Sequence, residues 1–99
     1  MRSFDLSKSA QADLKSIAAY THERWGVRQR NTYLKEMDRV FHSLAKNPVM
    51  GRTCDEILEG YRKFPHGAHV IYCKQLVPDE LLIVRILHAA MDVDLRLSI

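Results

Sequence analysis

Apolar residues recur every three or four positions through the first half of the chain, then give way to short dense runs. Ser3 to Leu6 predicts a short opening strand. Ser7 predicts an N-cap, because its hydroxyl can accept from an orphan amide of the helix that follows. Ala10, Leu14, Ile17, Ala18 and Trp25 then trace one helical stripe. Gly26 can take the left-handed conformation that closes such a helix. A second helix is predicted over Val27 to Lys46, with Leu34, Met37, Phe41 and Leu44 forming a narrow apolar seam. It ends before Asn47-Pro48, since proline pushes the preceding residue out of helical geometry. So short a link at Gly26 makes the pair an antiparallel hairpin, with Trp25 expected to hold it to the core.

The period changes after Pro48. Gly51 marks a loop, and Cys54 to Leu58 predicts a single helical turn. Tyr61 to Phe64 reads as a strand, Pro65-His66-Gly67 as a turn, and Ala68 to Lys74 as a strand. On that strand Val70 and Tyr72 share one face, and His69, Ile71 and Cys73 the other. Pro78-Asp79 supplies the next turn. Leu81 to Leu87 is apolar on both faces, the signature of a strand covered on both sides. Asp92 to Ile99 predicts one or two helical turns, with Asp92 near the end that favours an anion. The fold class is α+β: β-α-α-β-β-β with a short C-terminal helix, a helical hairpin laid on one face of a mostly antiparallel sheet.

Composition narrows the picture. The 99 residues make one domain, with an expected stability on the order of 5–10 kcal/mol. A hydrophobic content of 46% argues against disorder, and 15 Lys and Arg against 12 Asp and Glu favour an acidic partner or an encounter with nucleic acid. Cys54 and Cys73 show no metal spacing and no CxxC, so reduced thiols in the cytoplasm are expected. No window approaches the roughly 18 apolar residues needed to cross a bilayer. No phosphate-binding loop, dinucleotide fingerprint or nucleophile elbow is present.

Several short pieces, weak singly, add up by order and spacing. They are Ala12-Asp13-Leu14 with Ile17 and Tyr20, Trp25-Gly26, Tyr33-Leu34, Asn47-Pro48, Gly51 and Gly60-Tyr61-Arg62. His69-Val70-Ile71-Tyr72 and Arg85-Ile86-Leu87-His88 with Met91-Asp92 complete the set. Over nearly its whole length the chain resembles the ParE toxins of bacterial toxin–antitoxin pairs. The resemblance implies the RelE/ParE fold, a ParD-like antitoxin with a ribbon-helix-helix and an acidic tail, and DNA gyrase as the target poisoned by binding. The chain departs from the family pattern at Ala90, where many members carry Arg near the C-terminal segment linked to toxicity. That departure bears on gyrase inhibition and leaves the fold and the antitoxin pairing untouched.

The rival reading on the same fold is a RelE-type mRNA endonuclease, which needs a base, an acid and cations for the developing phosphate charge. Arg62, Lys63, His69, Arg85 and His88 offer cations and imidazoles, but the tail reads Met91-Asp92-Val93-Asp94 and its carboxylates would repel RNA. Arg85, set among apolar residues, is expected to be paired with Asp92, Asp55 or Glu56, or else to anchor a partner's carboxylate. His69 and His88 can approach each other across strands, yet two histidines without a third ligand do not make a zinc site. Cys73 has nothing beside it that clearly lowers its pKa, so an inert thiol is expected. Tyr20, Trp25, Tyr33 and Phe41 either form a groove for a partner helix or belong to the core. The sequence therefore reads as a toxin that binds and does not catalyse, with no catalytic residue, metal or cofactor. The gyrase-facing residues are expected to be Arg85, His88, Met91, Asp92 and Arg96, displayed where the best-ordered strand ends. Antitoxin contacts are expected at Leu14, Ile17 and Leu34, with Arg28, Arg39 and Arg62 meeting its acidic tail.

Overall fold

A computed structural model describes residues 3–77 and 80–90, without the side chain of Val77. The expected C-terminal helix and the turn at Pro78-Asp79 lie outside the described residues. The chain order is β1 (Ser3–Leu6), α1 (Lys8–Trp25), α2 (Val27–Lys46), a 3-10 turn (Pro48–Met50), β2 (Arg52–Thr53), β3 (Tyr61–His66), β4 (His69–Val77) and β5 (Glu80–His88). The strands form one sheet in the order β1-β5-β4-β3-β2. Only the β1–β5 pair is parallel, because the helical hairpin carries the chain across before β5 is laid down.

The two helices start and stop where local chemistry dictates. Ser7 accepts from the Ala10 amide at 3.0 Å, an N-cap that typically contributes about 1 kcal/mol. At Gly26 the backbone turns through φ +92, a conformation that disfavours side chains bearing a Cβ, and its amide donates to the His22 carbonyl. Asn47 ends α2 immediately before Pro48.

The main core lies between hairpin and sheet. Ile17, Met37, Phe41 and Leu44 pack against Ile71, Cys73, Leu81, Ile83 and Ile86. A smaller cluster on the opposite face joins Tyr72 and Leu87 to Cys54, with Ile57, Tyr61 and Val70 around it. The turn at Cys54 to Leu58, closed by the Leu58 amide on the Cys54 carbonyl, covers this second face. β5 is therefore apolar on both sides, as its unbroken run predicts.

Four details differ from expectation. Arg52–Thr53 forms a two-residue strand against β3, too short and too exposed to leave a periodic signal. Pro65 and His66 belong to β3, and the turn is Gly67-Ala68 with Gly67 at φ +58, as two-residue hairpins require. Proline is tolerated there because β2 covers only Arg62 and Lys63, leaving the outer side of Pro65 unpaired. β4 runs on to Val77, three residues beyond the expected end, with register shifts at Tyr72/Cys73 and Gln75/Val77. Trp25 does not hold the hairpin to the core: it is 66% exposed, because the buried stripe of α1 ends at Thr21 and the last turn is open to solvent.

Candidate partner-binding groove

β1 spans four residues and β5 nine, so β1 runs out at Leu6, opposite Ile83. Beyond that point α1 takes over the edge of β5. The Ser7 amide donates to the Ile83 carbonyl at 3.0 Å and the Ser7 hydroxyl to the Val84 carbonyl at 2.7 Å. In the second turn of α1, Asp13 accepts from the Ile86 amide at 2.9 Å. The same carboxylate grips Arg85, accepting from Nε at 2.8 Å and from Nη2 at 2.8 Å. This fork-to-fork geometry is the strongest ion-pair arrangement proteins use, and the hydrogen bond to Asp13 holds the guanidinium pKa above its ordinary value. Both side chains are mostly covered, 20% and 14% exposed, so removing one would take a well-shielded charged partner from the other. Arg85 is thus bound by Asp13; Asp55 and Glu56 do not hold it, and Asp92 lies outside the described residues.

Next to this pair a groove of about 790 Å³ opens between the hairpin and the end of the sheet. Ile17 and Tyr20 of α1, Trp25 at the hairpin tip and Tyr33 of α2 form its apolar, largely aromatic side. His69, Arg85 and His88 form its polar end. Tyr20 is 57% exposed and carries Arg24 over its ring at 5.5 Å. Large aromatic rings held open to solvent beside a concave, largely apolar wall mark a surface built to be covered. Phe41 belongs instead to the core.

At the polar end, Tyr33 Oη lies 3.0 Å from the His66 carbonyl and 2.7 Å from His69 Nδ1. Burial raises the Tyr33 pKa and lowers that of His69, which His88 and His66 depress further. His69 and His88 are cross-strand partners, their rings edge to face with centroids 5.7 Å apart. Among the described residues no group of three or more His, Cys, Asp or Glu is placed to share a metal ion, and no helix is long and apolar enough to cross a membrane. Both cysteines are free and buried; burial pushes the Cys73 thiol up to about 11, as expected of an unreactive sulfur.

The other sequence-derived candidates scatter. Leu14 and Leu34 line a smaller cavity of about 350 Å³ beside Phe4, Leu6 and Phe41, whereas Ile17 faces the large groove. Arg28 and Arg39 are exposed on α2. Arg62 donates to the Gly51 carbonyl at 2.8 Å and so ties down the loop before β2. His88 stands exposed where β5 ends, and Met91, Asp92 and Arg96 lie outside the described residues. Asp13 is the groove side chain that sequence reasoning did not single out for a site. The available signal was a carboxylate beside the apolar stripe of α1 and an arginine in an apolar strand in need of a partner.

Comparison with known proteins agrees with this architecture. Residues 4–93 match a family described as the ParE toxin of the type II toxin-antitoxin system parDE. Toxin ParE1 of Mycobacterium tuberculosis is 44% identical over 92 residues, covering 93% of this chain and 94% of its own. Toxin ParE1 of Caulobacter vibrioides is 36% identical over the same coverage, and Toxin ParE of Escherichia coli 29% over 98 residues, covering 99% and 95%. The solved chromosomal ParDE system of P. aeruginosa superposes with a TM-score of 0.73 at 18% identity, covering 89% of this chain and 96% of that one, a likeness of fold.

Proposed function

This chain belongs to the ParE toxin family of type II toxin–antitoxin systems, and from that premise we propose that it acts by gripping other proteins, a ParD-like antitoxin that silences it and DNA gyrase that it poisons. The observation that carries this reading is the groove beside β5: a concave aromatic wall whose ion pair is satisfied within the chain. Catalysis of phosphodiester cleavage calls for a cation aimed at the developing charge. Here the Arg85 guanidinium is clamped by Asp13 on two nitrogens, so its charge is neutralised before any substrate arrives. That arrangement suits a wall that positions a docked chain better than it suits acid–base turnover.

The antitoxin segment folds on contact, crosses the hairpin and lies along the groove. Its apolar side chains meet Ile17, Tyr20 and Trp25, with Leu14 and Leu34 offering a second seat on the other side of α1. Such a wrapped complex buries roughly 2,000 Å² or more and reaches nanomolar affinity, about −12 kcal/mol. The exposed Arg28 and Arg39 speed its encounter more than they tighten it. Gyrase meets the end of β5 and the residues that follow it, where His88 is displayed.

Purified gyrase with plasmid tests the target. Blocked supercoiling or trapped cleaved DNA supports the proposal, and neither effect at a large excess of toxin sinks it. Mapping mRNA ends after induction separates the endonuclease alternative, which leaves cuts at defined codon positions.

A further inference from the structure

Two imidazoles and one phenol line the sheet end of the groove, and a third imidazole packs behind them. His66 and His69 flank the β3–β4 turn as register partners, and His69 also faces His88 on β5. Tyr33 lies against both His66 and His69, with ring centroids 5.2 and 5.7 Å away.

Counting hydrogens assigns the ring protons. A phenol has one hydrogen to give, and a carbonyl can only accept. Tyr33 reaches the His66 carbonyl at 3.0 Å and His69 Nδ1 at 2.7 Å. Both contacts are hydrogen bonds when Tyr33 donates to the carbonyl and His69 Nδ1–H donates to Tyr33. His69 then keeps a lone pair on Nε2. At His88 the Ala90 amide donates to Nδ1 at 3.1 Å, so the ring hydrogen sits on Nε2. A proton added to His88 breaks that bond, whereas a proton added to His69 Nε2 breaks none. His66 is barred for another reason: its Nε2 is buried with no hydrogen-bond partner, where a charge is costly.

In the free protein His69 is kept neutral by burial, by His88 and by His66. The groups facing it are Asp13 from α1, Tyr33 with Glu36 behind it from α2, His66 from β3, and Arg85 and His88 from β5. Asp13 favours the cation, but its oxygens already serve Arg85 and the Ile86 amide. Among the described residues, the titratable lining at this end is therefore imidazole and guanidinium, with the Asp13 carboxylate engaged and Glu36 outside the groove. It offers a basic side chain no unengaged carboxylate, whereas an acidic one can pair with the His69 ring once that ring takes a proton, in keeping with a net charge of +3.

We propose that the His69 end of the groove is a proton-linked receptor for a carboxylate of the docked antitoxin, with His69 Nε2 taking one proton from solvent as the acid arrives. This rests on the groove being the antitoxin seat. A carboxylate beside His69 raises its pKa, which the free protein holds low. Affinity therefore rises as pH falls through the bound-state value and levels off below the free-state value, by at most about tenfold per pH unit for one proton.

Titration calorimetry of the purified toxin with its full-length antitoxin, from pH 8 to 6 in buffers of different ionisation heat, reads the proton count. The expected result is uptake approaching one proton and a Kd several-fold lower at the acid end. His69→Gln removes the uptake and the pH dependence, while His88→Gln keeps both. An antitoxin with its acidic residues changed to amides binds without uptake. Tight binding with no uptake in the unaltered pair, or uptake that survives His69→Gln, overturns the proposal while leaving the groove as seat. Affinity indifferent to both Trp25→Ala and Ile17→Asp removes the seat and the proposal together. Should His69→Gln not fold, the His69 ring is followed by NMR in the unaltered toxin. Its pKa rises on complex formation, and an unchanged pKa overturns the proposal.

Discussion

The two halves of β5 come from one apolar run, yet they live in different surroundings. From Leu81 to Ile83 the strand lies between β1 and β4. Leu81 and Ile83 are buried there. From Arg85 to His88 there is no β1, and the edge is bordered by a helix. A strand neighbour satisfies an edge with backbone alone, whereas a helix must reach it with side chains. Hence Asp13, Arg85, Tyr33, His69 and His88 gather at one end of the strand and none at the other. The groove is the space left where sheet pairing stops and helix packing has not closed in.

That contrast breaks most severely at Asp13. Asp13→Ala takes from the Arg85 guanidinium its two-bond carboxylate and from the Ile86 amide its acceptor in a mostly covered setting, and a loss of about 3 kcal/mol in chemical unfolding is expected. A loss under about 1 kcal/mol would mean that the helix-bordered half needs no side-chain partner. Gly67→Ala comes next. The turn holds φ +58, and an added Cβ would lie 2.7 Å from the Tyr33 hydroxyl, so about 2 kcal/mol and the Tyr33–His69 bond should be lost together. The smallest effect on stability is expected at Trp25, which is mostly exposed. Trp25→Ala should leave unfolding within about 0.5 kcal/mol yet weaken antitoxin binding by about 2 kcal/mol, roughly thirtyfold. A large drop in stability with unchanged affinity would place Trp25 in the core after all.

Much of this protein is legible in residue pattern because the relevant forces are local. Ser7, Gly26 and Asn47-Pro48 delimit the helices through caps and backbone sterics that act within a few residues. The dense run after Leu81 announces a strand covered on both faces, since burial demands it. The turn is expected to open at Pro65 and opens instead at Gly67, because Pro65 also signals a turn and only the short reach of β2 lets it stay in a strand. Trp25 continues the stripe of α1 in period but not in contact, as that stripe outlasts the sheet beneath it.

By itself the sequence determined an α+β domain, its two helices, the central apolar strand and kinship with a family of toxins. Only the tertiary structure decided that Asp13 and not a nearer acid answers Arg85, 72 residues away along the chain. It also decided that Tyr33, His69 and His88 share one corner of a groove, with the His66 ring packed against Tyr33. The reason is that periodicity reports which side of an element is buried, while the length at which β1 stops, and so what meets the bare edge of β5, is set by how the elements stack.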